Sequence, residues 1–215
     1  STDTFTVVLG NQPASDVVVS VASADTGEAT VSPAMVTLTN ANWNVPQIVT
    51  VTGVDDATAD GSQTTAVTVS VVDGDSADNY DDVADQTVSV TTSDDDTAGF
   101  TLSGTSLTVS ETGSTQIFTV VLDSQPTADV VLDVSSADTG EATVDKPQLT
   151  FTSGNWSTAQ TVTVTGVDDS ASDGNQTTAI TLSVVDGSSD NAFDALADQV
   201  VSVTTSDDDS PGITT

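Results

Sequence analysis

Residues 115–135 read TQIFTVVLDSQPTADVVLDVS, and this stretch decides the fold. Phe118, Val120 and Leu122 recur at every second position, Asp-Ser-Gln-Pro interrupts at 123–126, and Val130, Leu132 and Val134 resume the alternation. A period of two in β-branched and aromatic residues, broken by turn formers, predicts two half-buried strands joined by a loop. Outward from there, runs of the same kind predict strands over 100–110, 115–122, 129–135, 148–152, 159–166, 177–185 and 198–205. About seven short strands with regular turn signals, and no helical period between them, predict an all-β, immunoglobulin-like antiparallel sandwich. Its core should be Val, Leu and Ile, with Phe118, Phe151 and Trp156 adding area.

The same pattern occurs twice. With an offset of 113 residues, Phe5 falls on Phe118, Trp43 on Trp156, Asp55 on Asp168 and Asp94 on Asp207, and about 62 of 99 aligned positions are identical without a gap. Solenoid units are only ~20–50 residues long, so this period denotes tandem whole domains. The expected organisation is a repeat over 1–96 that lacks its first strand, a complete repeat over 97–209, and the start of a third over 210–215. Ser1 matches Ser114 in mid-repeat, and the tail from Ser210 matches Thr97 onward, so the native protein is expected to continue both ways. The first repeat should then have an open sheet edge, to which the Ile213 tail of a neighbouring molecule could add a strand.

Composition narrows function. Thirty-three acidic side chains face one basic one, Lys146, for a formal net charge of -32. Nucleic acid and anionic membrane surfaces need Lys or Arg, so neither is an expected partner; no apolar run is long enough for membrane insertion. With no Cys and no His, thiolate and imidazole chemistry is excluded, and an enzyme is not expected. Cations are the natural partners of such a chain.

If the strands run alternately up and down, the first, third, fifth and seventh end at one pole. Glu111 follows the first, Glu141 lies after the third, Asp168, Asp169 and Asp173 follow the fifth, and Asp207, Asp208 and Asp209 follow the seventh. Eight like charges at one pole of a small domain repel by an amount comparable with its whole stability. No basic residue is placed to relieve them, and carboxylates are hard oxygen ligands, so Ca2+ is the expected neutraliser. A solvated acidic surface is the plainer alternative. Against it stand the recurrence of Asp-Asp-Asp at 94–96 and 207–209, and of Asp-Asp with Asp-Gly four residues on at 55–61 and 168–174.

These motifs resemble the Calx-beta family, the β-sandwich repeat of sodium-calcium exchangers, and the related tandem repeats of large secreted bacterial adhesins of the RTX kind. The resemblance implies calcium ligands at Glu111 in Val-Ser-Glu-Thr-Gly, Glu141 in Thr-Gly-Glu-Ala-Thr, Asp168 with Asp169 and Asp173, and the closing run Asp207, Asp208 and Asp209. Glu28, Asp55, Asp56, Asp60, Asp94, Asp95 and Asp96 take the same places in the first repeat, which has no counterpart of Glu111. The chain departs from the family in having Glu-Ala where Asp-Tyr is more common. The resemblance further implies an extracellular or bacterial cell-surface setting and folding triggered by calcium outside the cell.

Other signals weigh less. Asp-Thr-Gly at 25–27 and 138–140 is the triplet of bilobal aspartic proteases, but it follows Ser-Ala and occurs once per repeat, which favours a turn. Asp73, Asp75, Asp78, Asp81 and Asp82 suggest an EF-hand, yet the Gly at position six and the Glu at position twelve are missing. A weak second metal site and a plain acidic loop are the two readings left there. Trp43 and Trp156 could stack on a sugar, though a core plug is the commoner use of such a residue. The leading expectation is a calcium-rigidified structural extender of a surface or secreted adhesin, contacting neighbouring repeats. The alternative is an adhesive binding module that engages a protein or glycan through loops or a sheet edge.

Overall fold

The computed structural model describes residues 1–212, so Ile213, and with it the tail strand expected there, lies outside the described residues. The chain divides into two compact units, Ser1–Asp56 with Gly61–Asp95, and Ala57–Asp60 with Asp96 onward. Both are β-sandwiches. Among the described residues there is no α-helix, and no helix is long and apolar enough to cross a membrane.

The first unit has seven strands: β1 (Thr2–Val7), β2 (Val17–Ser23), β3 (Ala29–Ser32), β4 (Met35–Leu38), β5 (Gln47–Gly53), β6 (Gln63–Val71) and β7 (Gln86–Thr92). They form two sheets in the orders β1-β5-β3 and β4-β2-β6-β7, every pair antiparallel. Val17, Leu38, Val49 and Val67 are fully buried between them. They are the inward members of alternating runs, since successive strand side chains point to opposite faces.

The second unit has nine among the described residues: β8 (Phe100–Leu102), β9 (Ser106–Ser110), β10 (Thr115–Leu122), β11 (Val130–Ser136), β12 (Ala142–Val144), β13 (Gln148–Phe151), β14 (Gln160–Gly166), β15 (Gln176–Val184) and β16 (Gln199–Ser206). One sheet runs β12-β14-β10-β8 and the other β13-β11-β15-β16-β9. Six of the seven expected strands agree to within one residue at each end. The expected strand at 100–110 is two strands in different sheets, interrupted at Ser103–Thr105 around Gly104. β8 pairs antiparallel with β10, and β9 pairs parallel with β16, Ser106 opposite Ser202 through Ser110 opposite Ser206. This parallel pair departs from the all-antiparallel expectation. A chain that crosses from one sheet edge to the other must leave both ladders at the crossing, and the small Ser-Gly-Thr step allows it. β12, and β3 in the first unit, were not expected: Ala-Thr-Val is too short to show an alternation, and its pairing with β14 is decided by the tertiary fold.

Phe118, Phe151, Phe193, Leu132, Ile180 and Leu182 fill the second core, while Trp156 is only half-buried against it. Phe193 lies in a loop outside any strand period. It is held there by Asp190, which is 7% exposed. One Asp190 oxygen accepts from the backbone N–H of Thr127 (2.6 Å) and of Ala128 (3.0 Å) and from the Thr127 hydroxyl (2.6 Å), and the other accepts from the N–H of Ala192 (3.0 Å). Burial would raise the Asp190 carboxyl, but the Thr127 hydroxyl and the three N–H donors outweigh it and hold the group below its ordinary range. In the first unit the aligned residue is Ala77, and Tyr80, aligned with Phe193, instead donates its hydroxyl to the Asn11 carbonyl at 2.6 Å.

Asp190→Ala should therefore destabilise the second unit by about 2–4 kcal/mol, since four donors lose a charged acceptor in a buried loop. A carboxyl with a folded pKa below its unfolded value adds stability that is complete above the unfolded value, near 3.9, and is lost as pH falls through the folded one. The variant should accordingly lose stability at neutral pH but show a shallower loss below about pH 4. Urea unfolding from pH 2 to 7 measures both; an unchanged midpoint at pH 7 would remove Asp190 from this role.

Candidate metal centre

β9, β11, β14 and β16 all end at one pole of the second unit, and each is followed by acids. Glu111 continues the β9–β16 ladder by one step, its N–H donating to the Ser206 carbonyl at 3.2 Å, which carries its side chain inward until it is 1% exposed. Gly166, at the end of β14, makes room: a Cβ there would run into the Ser110 carbonyl, so only Gly lets the end of β9 come so close. Glu141 is pinned through its carbonyl, which accepts from the Val167 N–H (2.9 Å) and from the Thr205 hydroxyl (3.1 Å). Gly174 takes φ of +79°, which Gly adopts without a steric penalty, and its N–H donates to Asp207 at 2.7 Å. The other Asp207 oxygen accepts from the Asp209 N–H at 2.8 Å, and the Asp207 N–H donates to the Asn175 side chain at 3.2 Å.

The outcome is two carboxylate triplets. Oxygens of Glu111, Asp207 and Asp209 lie within 4.8 Å of one another, and so do those of Glu141, Asp169 and Asp173. Each triplet holds one buried oxygen with no hydrogen-bond partner, Oδ2 of Asp209 in the first and Oε2 of Glu141 in the second. Burial raises the carboxyls of Glu111, Glu141 and Asp209 above their ordinary values, and neighbouring negative charges raise them further; for Glu111 the Asp208 N–H, at 3.4 Å, pulls the other way. Asp169 and Asp207 bear on all three groups, so the two triplets share one field. The sole basic side chain, Lys146, donates instead to the Thr161 carbonyl.

Of the eight acids expected at this pole, six are in the triplets. Asp208 and Asp168 are exposed and outside them, though Asp168 adds to the charge felt by Asp209. Sequence reading missed Asn175, Gly166 and Thr205, which position the acids without being acidic. The recurring Gly and Thr at 53 and 92 were the available signal for two of them.

The first unit builds part of the same frame. The Glu28 carbonyl accepts from the Val54 N–H (2.8 Å) and the Thr92 hydroxyl (2.9 Å), and Gly61, at φ +75°, donates its N–H to Asp94 at 2.7 Å. Among the described residues, however, Glu28, Asp55, Asp56, Asp60, Asp94, Asp95 and Asp96 supply no triplet of this closeness. Asp60 and Asp96 belong to the second compact unit and the other five to the first. Nor do Asp73, Asp75, Asp78, Asp81 and Asp82 form one; two single-turn 3-10 helices, Asp73–Asp75 and Asp78–Tyr80, arrange that loop. Asp25 and Asp138 accept from the N–H of Gly27 (2.9 Å) and Gly140 (2.8 Å), the Asx turns that their Asp-Thr-Gly triplets suggested.

No protein-family model matches the chain, and no curated protein does. The resemblance to the Calx-beta family thus rests on the acidic motifs themselves. Solved structures do resemble it. Domains 4 and 5 of the S-layer protein SbsC align at 20% identity and a TM-score of 0.42, over 88% of this chain and 70% of that one. The E. coli chaperone DraB aligns at 9% identity and a TM-score of 0.40, over 54% of this chain and 59% of its own. The C. elegans MSP family member WR4 aligns at 12% identity and a TM-score of 0.34, over 50% of this chain and 95% of its own.

Proposed function

We propose that the chain is a pair of calcium-binding structural repeats, spacers of an extracellular or bacterial cell-surface protein of the adhesin kind. The observation that carries this is the pair of triplets, each with a buried carboxylate oxygen lacking a partner, in a chain with one basic side chain. Buried negative charge requires a counter-charge, and hard carboxylate oxygens suit Ca2+, which accepts six to eight of them in variable geometry. Glu111, Asp207 and Asp209 would hold one ion, and Glu141, Asp169 and Asp173 another. The first ion would tie the end of β9 to the end of β16, and the second would tie the loop after β11 to the loop after β14, stiffening the pole at which the chain leaves the repeat.

The test is calorimetric titration with calcium. Asp169→Asn should weaken binding at least tenfold, because Asp169 is a triplet member, whereas Asp168→Asn, outside both triplets, should change it less than threefold. Equal affinity in both variants and the parent would overturn the assignment.

A further inference from the structure

The two triplets of the second unit are built differently. In the first, Glu111 is 1% exposed, and Asp207 and Asp209 are half-buried. Its acids stand where two paired strands end: β9 and β16 run parallel as far as Ser110 and Ser206, and Glu111 and Asp207 are the next residues of each. Backbone donors fix them there. The two Asp207 oxygens accept the N–H groups of Asp209 (2.8 Å) and Gly174 (2.7 Å), and Glu111 accepts that of Asp208 at 3.4 Å. Each of these oxygens keeps a second lone pair for an ion. In the other triplet only Glu141 is half-buried; Asp169 and Asp173 are exposed, and both belong to the segment between β14 and β15. Asp169 accepts from the Ala171 N–H at 2.6 Å, a bond that holds it to its own loop and not to a strand.

We infer, resting on the calcium reading above, that the two sites differ in the ions they admit. The buried triplet of Glu111, Asp207 and Asp209 selects calcium against magnesium, and the open triplet of Glu141, Asp169 and Asp173 admits magnesium as well as calcium. Charge does not make this distinction, since the ions carry the same charge and each triplet offers three carboxylates. Hydration and geometry do. Magnesium binds at about 2.0–2.1 Å in a near-ideal octahedron and usually keeps several waters, whereas calcium accepts six to eight oxygens at about 2.3–2.6 Å in variable geometry. In the buried triplet magnesium would have to shed those waters. Carboxylates anchored by backbone N–H groups at two strand ends also resist being drawn in to the shorter distance. Calcium requires neither change. In the open triplet a magnesium ion keeps its waters on the solvent side, and the loop that carries Asp169 and Asp173 closes on either radius. The link between the ends of β9 and β16 therefore responds to calcium even where magnesium is in excess, while the outer site stays filled by whichever ion is abundant.

The test is calcium titration of the whole chain by calorimetry, with and without tens of millimolar magnesium, ionic strength being matched with sodium chloride. In the parent, one calcium-binding event should weaken at least fivefold in magnesium and another less than twofold. Asp173→Asn should remove the magnesium-sensitive event and leave the other. Asp209→Asn should do the reverse, and Glu111→Gln, in the same triplet, should agree with it. Equal weakening of both events by magnesium would overturn the inference and leave the calcium reading standing, and so would loss of the magnesium-insensitive event in Asp173→Asn. A parent that shows no calcium-binding event would overturn the calcium reading itself, and this inference with it.

Discussion

Heated in millimolar calcium, the second unit should unfold on the order of 15 °C higher than in excess chelator, and magnesium at equal ionic strength should recover less than half of that rise. A ligand that binds only the folded state stabilises it by RT ln(1 + [L]/Kd), about 2.7 kcal/mol at a hundredfold excess over Kd, and two ions double the effect. For a domain of this size each kcal/mol moves the midpoint by several degrees. Magnesium requires near-ideal octahedral geometry and gives up its waters reluctantly, so a site built from three carboxylates and two loops favours the larger ion. The first unit, which supplies no close triplet among the described residues, should shift less. Calorimetry resolves the two transitions. Equal midpoints in calcium, magnesium and chelator would mean that the acids serve only as a charged surface.

Glu111→Gln should have opposite effects in the two conditions. In chelator the variant removes a charge that is 1% exposed and faces Asp207, Asp169 and Asp208, and the second unit should melt a few degrees higher. In calcium the same change would remove one of the proposed ligands, and the unit should melt at least 5 °C lower than the parent. Gln is nearly isosteric with Glu and leaves the backbone bond from residue 111 to Ser206 intact, so the inversion isolates charge. A variant destabilised equally in both conditions would place Glu111 in the core packing and not in a metal site.

Much of the site was legible because it is a matter of chain order. Strands that alternate in direction bring alternate loops to one pole, and the acids of 111, 141, 168–173 and 207–209 follow from counting strands. What counting could not supply was the division into two triplets or the exclusion of Asp168 and Asp208, since these depend on side-chain direction at the loop. Asp190 shows the same limit. In sequence it is one more acid in an acidic loop, and in the fold it is a buried acceptor for four donors that holds Phe193 in the core.

By itself the sequence determined the all-β class, the doubling of the pattern, the positions of six strands of the second unit and the concentration of charge, because each is a local or periodic property: alternation, turn formers and composition act over a few residues. The tertiary structure alone decided where residues 100–110 go. That segment divides at Ser103–Thr105, places β8 in one sheet and β9 parallel to β16 in the other, and buries Glu111 at the end of the second piece. Local pattern is equally satisfied by one long strand; the choice is made by which sheet edges need covering.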